Sequence, residues 1–172
     1  MKQGITYCFA ICLLLCLPSP SISARLETRF GPILYDTDEQ LVDYVRCLHP
    51  YVPPVLNYSK PSQDEIVARH EYIFETICDK LDIKLNGLKT SVRIVSSLEK
   101  LRAEYRRLVP GSTKKVSAFY SKRHKTIWYA LENLNHDIAL HETAHAVLDH
   151  YFIRTIPAGV DEIVAEKVER FN

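Results

Sequence analysis

Apolar positions along the chain fall into two periods, and each period marks its elements. Leu41, Val42, Val45 and Leu48 recur at helical spacing behind Asp36 or Thr37 as an N-cap, with Asp38 and Glu39 in the first turn. His49-Pro50 ends that helix. Pro50, Pro53, Pro54 and Pro61 make residues 50–61 a stiff extended connector. Ser62 and Glu65 form a capping box, and Ile66, Ile73, Ile77 and Leu81 with Val67, Phe74 and Cys78 beside them predict a helix over 63–82. After the Asn86-Gly87 turn, the β-branched run 92–95 is a candidate strand. A helix over 97–108 turns Leu98, Leu101, Tyr105 and Leu108 inward and stops at Pro110-Gly111.

Residues 116–120 and 126–131 are rich in strand formers. Ser121-Lys122-Arg123-His124-Lys125 separates them, which predicts a hairpin with a basic, solvated turn. Asn133 or Asn135 then caps a helix whose buried stripe is Leu140, Ala144, Val147, Leu148 and Tyr151. Pro157 and Gly159 break it, and 160–168 is a last helix. Residues 25–37, around Gly31-Pro32, read as irregular. Together these predict a single α+β domain, mostly helical, with a small antiparallel sheet packed on the penultimate helix.

Composition narrows the picture. A chain of 172 residues suits one domain, and a net charge of +1 implies no nucleic-acid partner. Five glycines and no glycine-rich phosphate motif argue against nucleotide chemistry. The first 24 residues read as a signal peptide: Lys2, an apolar run over 5–17, helix breakers, then small residues before a cut after Ser23 or Ala24. The second reading of that segment is an uncleaved anchor. The folded domain is then 25–172, in a secreted or periplasmic protein with no stable membrane insertion after cleavage. Of five cysteines, Cys47 and Cys78 remain in that domain; an exported pair suggests one disulfide, the alternative being two buried thiols.

The candidate chemistry lies in the capped penultimate helix: His141, Glu142, Thr143, Ala144, His145. In this H-E-x-x-H pattern the two histidines, four apart, stand on one helical face and can share one zinc ion. Glu142 lies about 100° round the helix from His141, where it can reach a water without ligating the metal. A catalytic zinc site needs a third protein ligand and one open position. His150, about 140° round from His145, faces away. Asp149 shares the histidine face, but three ligands in line on one helix do not converge on a tetrahedron, so it reads as a supporting or solvated group. In the last helix Glu162 is the first carboxylate placed to look back at the histidines. Glu166, one turn on, is either the alternative ligand or a group that holds a ligand histidine by its free N–H.

This segment resembles the zincin metallopeptidases of the gluzincin type, where a glutamate on a later helix follows H-E-x-x-H, often within E-G-x-A-x-Y. Glu162-Ile163-Val164-Ala165-Glu166 matches the Glu and the Ala, and departs at Ile163 and Lys167. The hairpin over 119–131 resembles the zincin strands that precede the motif helix and border the substrate cleft. The resemblance covers about residues 116–170 and leaves the helical first third unexplained. It implies a zinc peptidase acting on peptide or protein substrates, with His141, His145 and Glu162 holding Zn²⁺ and Glu142 as general base. Tyr120, His150 and Tyr151 are candidates for steadying the oxyanion. Two other classes stay open: a non-catalytic zincin-like module that binds zinc or a partner, and a metal-free binding domain with surface histidines. Trp128 reads as core, and His49, His70 and His124 show no partner spacing.

Overall fold

Each of the first four helices begins where a side chain can satisfy its orphan N–H groups. Thr37, Ser62, Ser97 and Asn135 are the N-caps, accepting from the backbone N–H of Gln40, Glu65, Lys100 and Ile138. They open α1 (Asp38–Cys47), α2 (Gln63–Leu81), α3 (Leu98–Leu108) and α4 (His136–Tyr151). A fifth helix, α5 (Ala158–Arg170), starts just after Pro157. The computed structural model describes residues 24–48, 60–84, 86–152 and 157–170. The expected signal peptide therefore lies outside the described residues, except that Ala24 pairs with Tyr35 at the first rung of the sheet. Most of the proline-rich connector lies outside them too. No helix among the described residues is long and apolar enough to cross a membrane.

The fold is α+β, as the apolar periods predict. The sheet, however, is mixed and larger than the antiparallel hairpin expected. Its five strands are β1 (Ala24–Leu26), β2 (Ile33–Tyr35), β3 (Ser91–Val95), β4 (Ala118–Ser121) and β5 (Thr126–Ala130), in the order β1-β2-β3-β5-β4. Strands β4 and β5 form the expected antiparallel hairpin, closed by Lys125 in the left-handed region at φ 47°. The 92–95 run lies between β2 and β5 and pairs parallel to both. β1 and β2 fall in the stretch expected to be irregular. Each is three residues long, too short to show an alternation.

Gly31 is what lets β2 reach β3. The chain passes so close to Thr90 that a Cβ on Gly31 would stand 2.4 Å from the Thr90 carbonyl oxygen, and φ is +132°. The Thr90 N–H donates to the Phe30 carbonyl across this crossing, and the Val92 N–H donates to the Pro32 carbonyl at 2.9 Å.

Alternation along the strands splits the core. Ile33, Val92, Ile94, Ile127 and Tyr129 face α1, α2 and α4 and form the main cluster with Phe74, Ile77 and Leu140. On the other face Val95, Ala130 and Phe119 pack under Leu101 of α3 in a smaller cluster. Trp128, expected in the core, is only half-buried there and stacks on Phe119 with ring centroids 5.8 Å apart.

Two further expectations change. Tyr151, placed in the α4 stripe, is 49% exposed and packs edge-on against Phe152. Tyr151 is the last residue of the helix. Cys47 and Cys78 are free, half-buried thiols. Cys47 packs at the edge of the main cluster, whereas Cys78 lines a separate cleft with Arg29 and Phe30. Burial raises the pKa of each.

His70, expected to lack a partner, is fully buried in α2 with Nδ1 2.8 Å from the Tyr44 hydroxyl. Desolvation lowers its pKa from 6.5 to about 3, so it is neutral in the folded chain. The unfolded chain takes up this proton below about pH 6.5 and the folded chain does not until about pH 3, so stability falls as pH drops through that window. His70→Gln keeps an acceptor for Tyr44 and removes the titration. Compared by urea unfolding at pH 6.5 and pH 5, the wild type is expected to lose about 1.6 kcal/mol more than the variant. Equal losses would mean His70 is protonated, or hydrated, in the fold.

Candidate metal centre

Helix α4 is fixed on several sides before its chemistry is considered. His136 Nδ1 donates to the Leu48 carbonyl at the end of α1, 2.7 Å away. Tyr129 Oη on β5 donates to the Ala139 carbonyl at 3.1 Å and lies 3.2 Å from Thr143 Oγ1. Leu140, Thr143, Ala144 and Val147 are buried against the core. These contacts leave one strip of α4 outside the core, and it carries His141, Glu142, His145 and Asp149, all half-buried.

Helix α5 lies along this strip. It buries Asp161, Ala165 and Val168 as its own inward stripe. Glu162 flanks that stripe, and Glu169, seven residues on, returns to the same side. The result is a convergence of acceptors. His141 Nε2 and His145 Nε2 are 3.2 Å apart. The Glu162 carboxylate places Oε1 3.4 Å from His141 Nε2 and Oε2 3.6 Å from His145 Nε2. Among the described residues, His141, His145 and Glu162 form the one group of this kind.

Behind each imidazole stands a carboxylate. Glu169 Oε2 lies 3.3 Å from His141 Nδ1, and Asp161 Oδ1 lies 3.0 Å from His145 Nδ1. Neither pair is aligned as a hydrogen bond, and His141 Nδ1 and Asp161 Oδ1 are buried polar atoms without an aligned partner. Sequence spacing pointed to Glu166 for this supporting role. Instead Glu166 pairs with Arg170 at 3.4 Å, because the α5 face that meets His141 passes through Glu162 and Glu169.

This donor set fits a divalent cation such as zinc. Carboxylates stand near both Nδ1 atoms, and in the tautomer with the protons on those nitrogens the Nε2 lone pairs point at one another and at Glu162, as metal ligation requires. In that tautomer a cation between the three acceptors would offset their repulsion. Zinc bonds of about 2.0–2.1 Å in a tetrahedron separate neighbouring ligand atoms by about 3.3–3.4 Å, close to the spacings seen. The histidines are 19% and 14% exposed and Glu162 is 55% exposed, so the site opens to solvent on the Glu162 side.

Glu142 sits beside this group, largely desolvated. Burial raises its pKa to about 7, and the Glu162 and Asp161 carboxylates push the same way. His145 and a hydrogen bond with the Tyr120 backbone of β4 oppose the shift. A carboxylate with a pKa near neutrality is suited to taking up and releasing a proton.

The hairpin turn, expected to be solvated, is committed to this site. Lys125 Nζ donates to Asp149 Oδ2 at 2.6 Å, and Tyr120 Oη donates to the same oxygen at 2.7 Å. Burial pushes Asp149 up, but these two bonds outweigh it and hold its pKa below the ordinary value. Lys122 Nζ lies 3.3 Å from Asp161 Oδ2. The one signal of these pairings in the sequence was the pair of lysines in a turn directly before an acidic site. Of the oxyanion candidates, Tyr120 is held by Asp149, and His150 is exposed with Nε2 3.2 Å from the Asn86 carbonyl. Tyr151 rests on Phe152. Clefts of about 550 Å³ beside Arg29 and about 580 Å³ beside Trp128 are lined by other residues.

Comparison with family models, curated proteins and solved structures finds no match for this chain.

For a centre of this composition, Glu162→Ala is expected to weaken zinc binding by more than the roughly 10–100-fold typical of losing a group behind a ligand. Glu166→Ala is expected to leave it within about twofold, as befits a surface side chain. Chelator competition on the purified protein measures both. A reversed order would move the third ligand to Glu166.

Proposed function

We propose that the chain is an exported zinc-dependent peptidase of the zincin-like kind. The observation that carries this reading is the convergence of His141 Nε2, His145 Nε2 and a Glu162 oxygen within 4.8 Å of one another, beside the desolvated Glu142. His141, His145 and Glu162 would hold the ion. A zinc ion there supplies a Lewis acid that polarises a carbonyl and makes water a stronger acid. Glu142 takes a proton from the attacking water and passes it to the leaving amine. Asp161 and Glu169 bear on the far nitrogens of the histidines. Strand β4 is the edge of the sheet, and its Tyr120 backbone touches Glu142. An extended peptide can therefore add to that edge and run past the base.

The second reading is a zinc-binding or partner-binding module without catalysis. It calls for a fourth protein ligand closing the site. His150 and Glu166 were the residues able to complete such a set; one meets Asn86 and the other Arg170. Among the described residues the acceptor group has three members, which favours the hydrolase.

The test uses zinc-loaded protein and a mixed peptide library read by mass spectrometry. Glu142→Gln is expected to keep its zinc and to lower cleavage by about 10²–10⁴-fold. Undiminished cleavage would remove Glu142 as base, and a wild type that cleaves nothing while holding zinc would favour the module. The rate should rise with pH as Glu142 loses its proton. A neighbouring cation lowers a carboxylate's pKa, so that acid limb should fall at or below about pH 7.

A further inference from the structure

We propose that Lys122, in the turn of the β4–β5 hairpin, is a positioning residue for the metal centre, acting on His145 through Asp161. This rests on the zinc reading above and adds to it a brace from outside the two helices that carry the donors.

The path is short and made of named atoms. Asp161 is 7% exposed and uses its two oxygens in two directions: Oδ1 is 3.0 Å from His145 Nδ1, and Oδ2 is 3.3 Å from Lys122 Nζ. Its Oδ1 has no aligned hydrogen bond. Lys122 places a cation beside Oδ2, and that attraction orients the carboxylate plane that presents Oδ1 to the imidazole. An oriented acceptor behind a ligand histidine keeps the proton on Nδ1 and the lone pair on Nε2.

The same hairpin is tied at two further points. Lys125 and Tyr120 hold Asp149 in α4, and the Tyr120 backbone meets Glu142. The hairpin thus touches the base, the end of α4 and, through Asp161, a candidate ligand. The two histidines are not equally supported. Asp161 is buried and clamped by a lysine, whereas Glu169 behind His141 is 39% exposed.

Zinc affinity by chelator competition and the visible spectrum of the cobalt(II)-loaded protein test this. Asp161→Asn is expected to weaken zinc about 10–100-fold and to shift the cobalt bands. Lys122→Met is expected to weaken it about 2–10-fold, as suits a half-exposed ion pair, and Lys122→Arg to restore it. Glu169→Gln should cost less than Asp161→Asn. The decisive comparison is the double variant: once Asp161 is Asn, removing Lys122 should change nothing further. Arg123→Met removes the same charge from the same turn and should leave affinity and spectrum unchanged. Thermal unfolding of the metal-free Lys122→Met protein checks that the fold persists; if it does not, Lys122→Gln takes its place in the series. A wild type that takes up neither ion overturns the metal centre and the brace with it. Zinc-binding wild type with an equal affinity in Lys122→Met overturns the brace alone. Additive losses in the double variant, or an equal loss in Arg123→Met, also overturn it.

Discussion

The rotation of α4 about its own axis governs what every residue at the candidate site can do. A helix with histidines four apart presents a usable pair only when that face is turned away from the core. A rotation of one residue, about 100°, would bury the imidazoles or replace them with Ala144. Tyr129 fixes this angle from the sheet through the Ala139 carbonyl and Thr143. His136 fixes the start of the helix on Leu48, and Leu140, Ala144 and Val147 fill the space beneath. These are core contacts, so the site inherits the rigidity of the core.

With α4 set, α5 supplies charge. Asp161, Glu162 and Glu169 approach two imidazoles and a largely desolvated Glu142. That concentration of acceptors is unfavourable by itself, since like charges in a low-dielectric setting repel strongly. Burial raises the pKa of Glu142, and the Glu162 and Asp161 carboxylates add to that shift. A cation bound by these residues would relieve this crowding, and Lys122 and Lys125 lie behind it, beside Asp161 and Asp149.

Much of this layout was legible in the chain, for a physical reason. Helix starts are written in local chemistry, so Thr37, Ser62 and Asn135 announced α1, α2 and α4 within a residue or two. The i, i+4 spacing of His141 and His145 is likewise a local fact, and Glu162 follows from the break at Pro157. What was hidden depends on contacts remote in sequence. β1 and β2 become strands because Gly31 lets the chain pass against Thr90. The parallel pairing of β3 with both neighbours has no signature in its own residues. Spacing favours Glu166 over Glu169 behind His141, and the structure reverses this because the packing of α5 on α4 decides which turn of α5 meets His141. His70 lies on the apolar stripe of α2, and its partner Tyr44 is in another helix.

The hairpin turn shows how a polar contact can matter beyond its energy. Lys125 and Lys122 are about half exposed, and solvent screening limits what their pairs with the more buried Asp149 and Asp161 add to global stability. Their effect is geometric. The acceptor group opens to solvent on the Glu162 side, where contacts from outside α4 and α5 help hold its parts in register. Tethers from one rigid hairpin to α4 and α5 perform that task with few residues. They also place the edge strand β4 next to Glu142, through the Tyr120 backbone, and next to His145, through Asp161. The basic turn thus belongs to the candidate site as much as the H-E-x-x-H helix does.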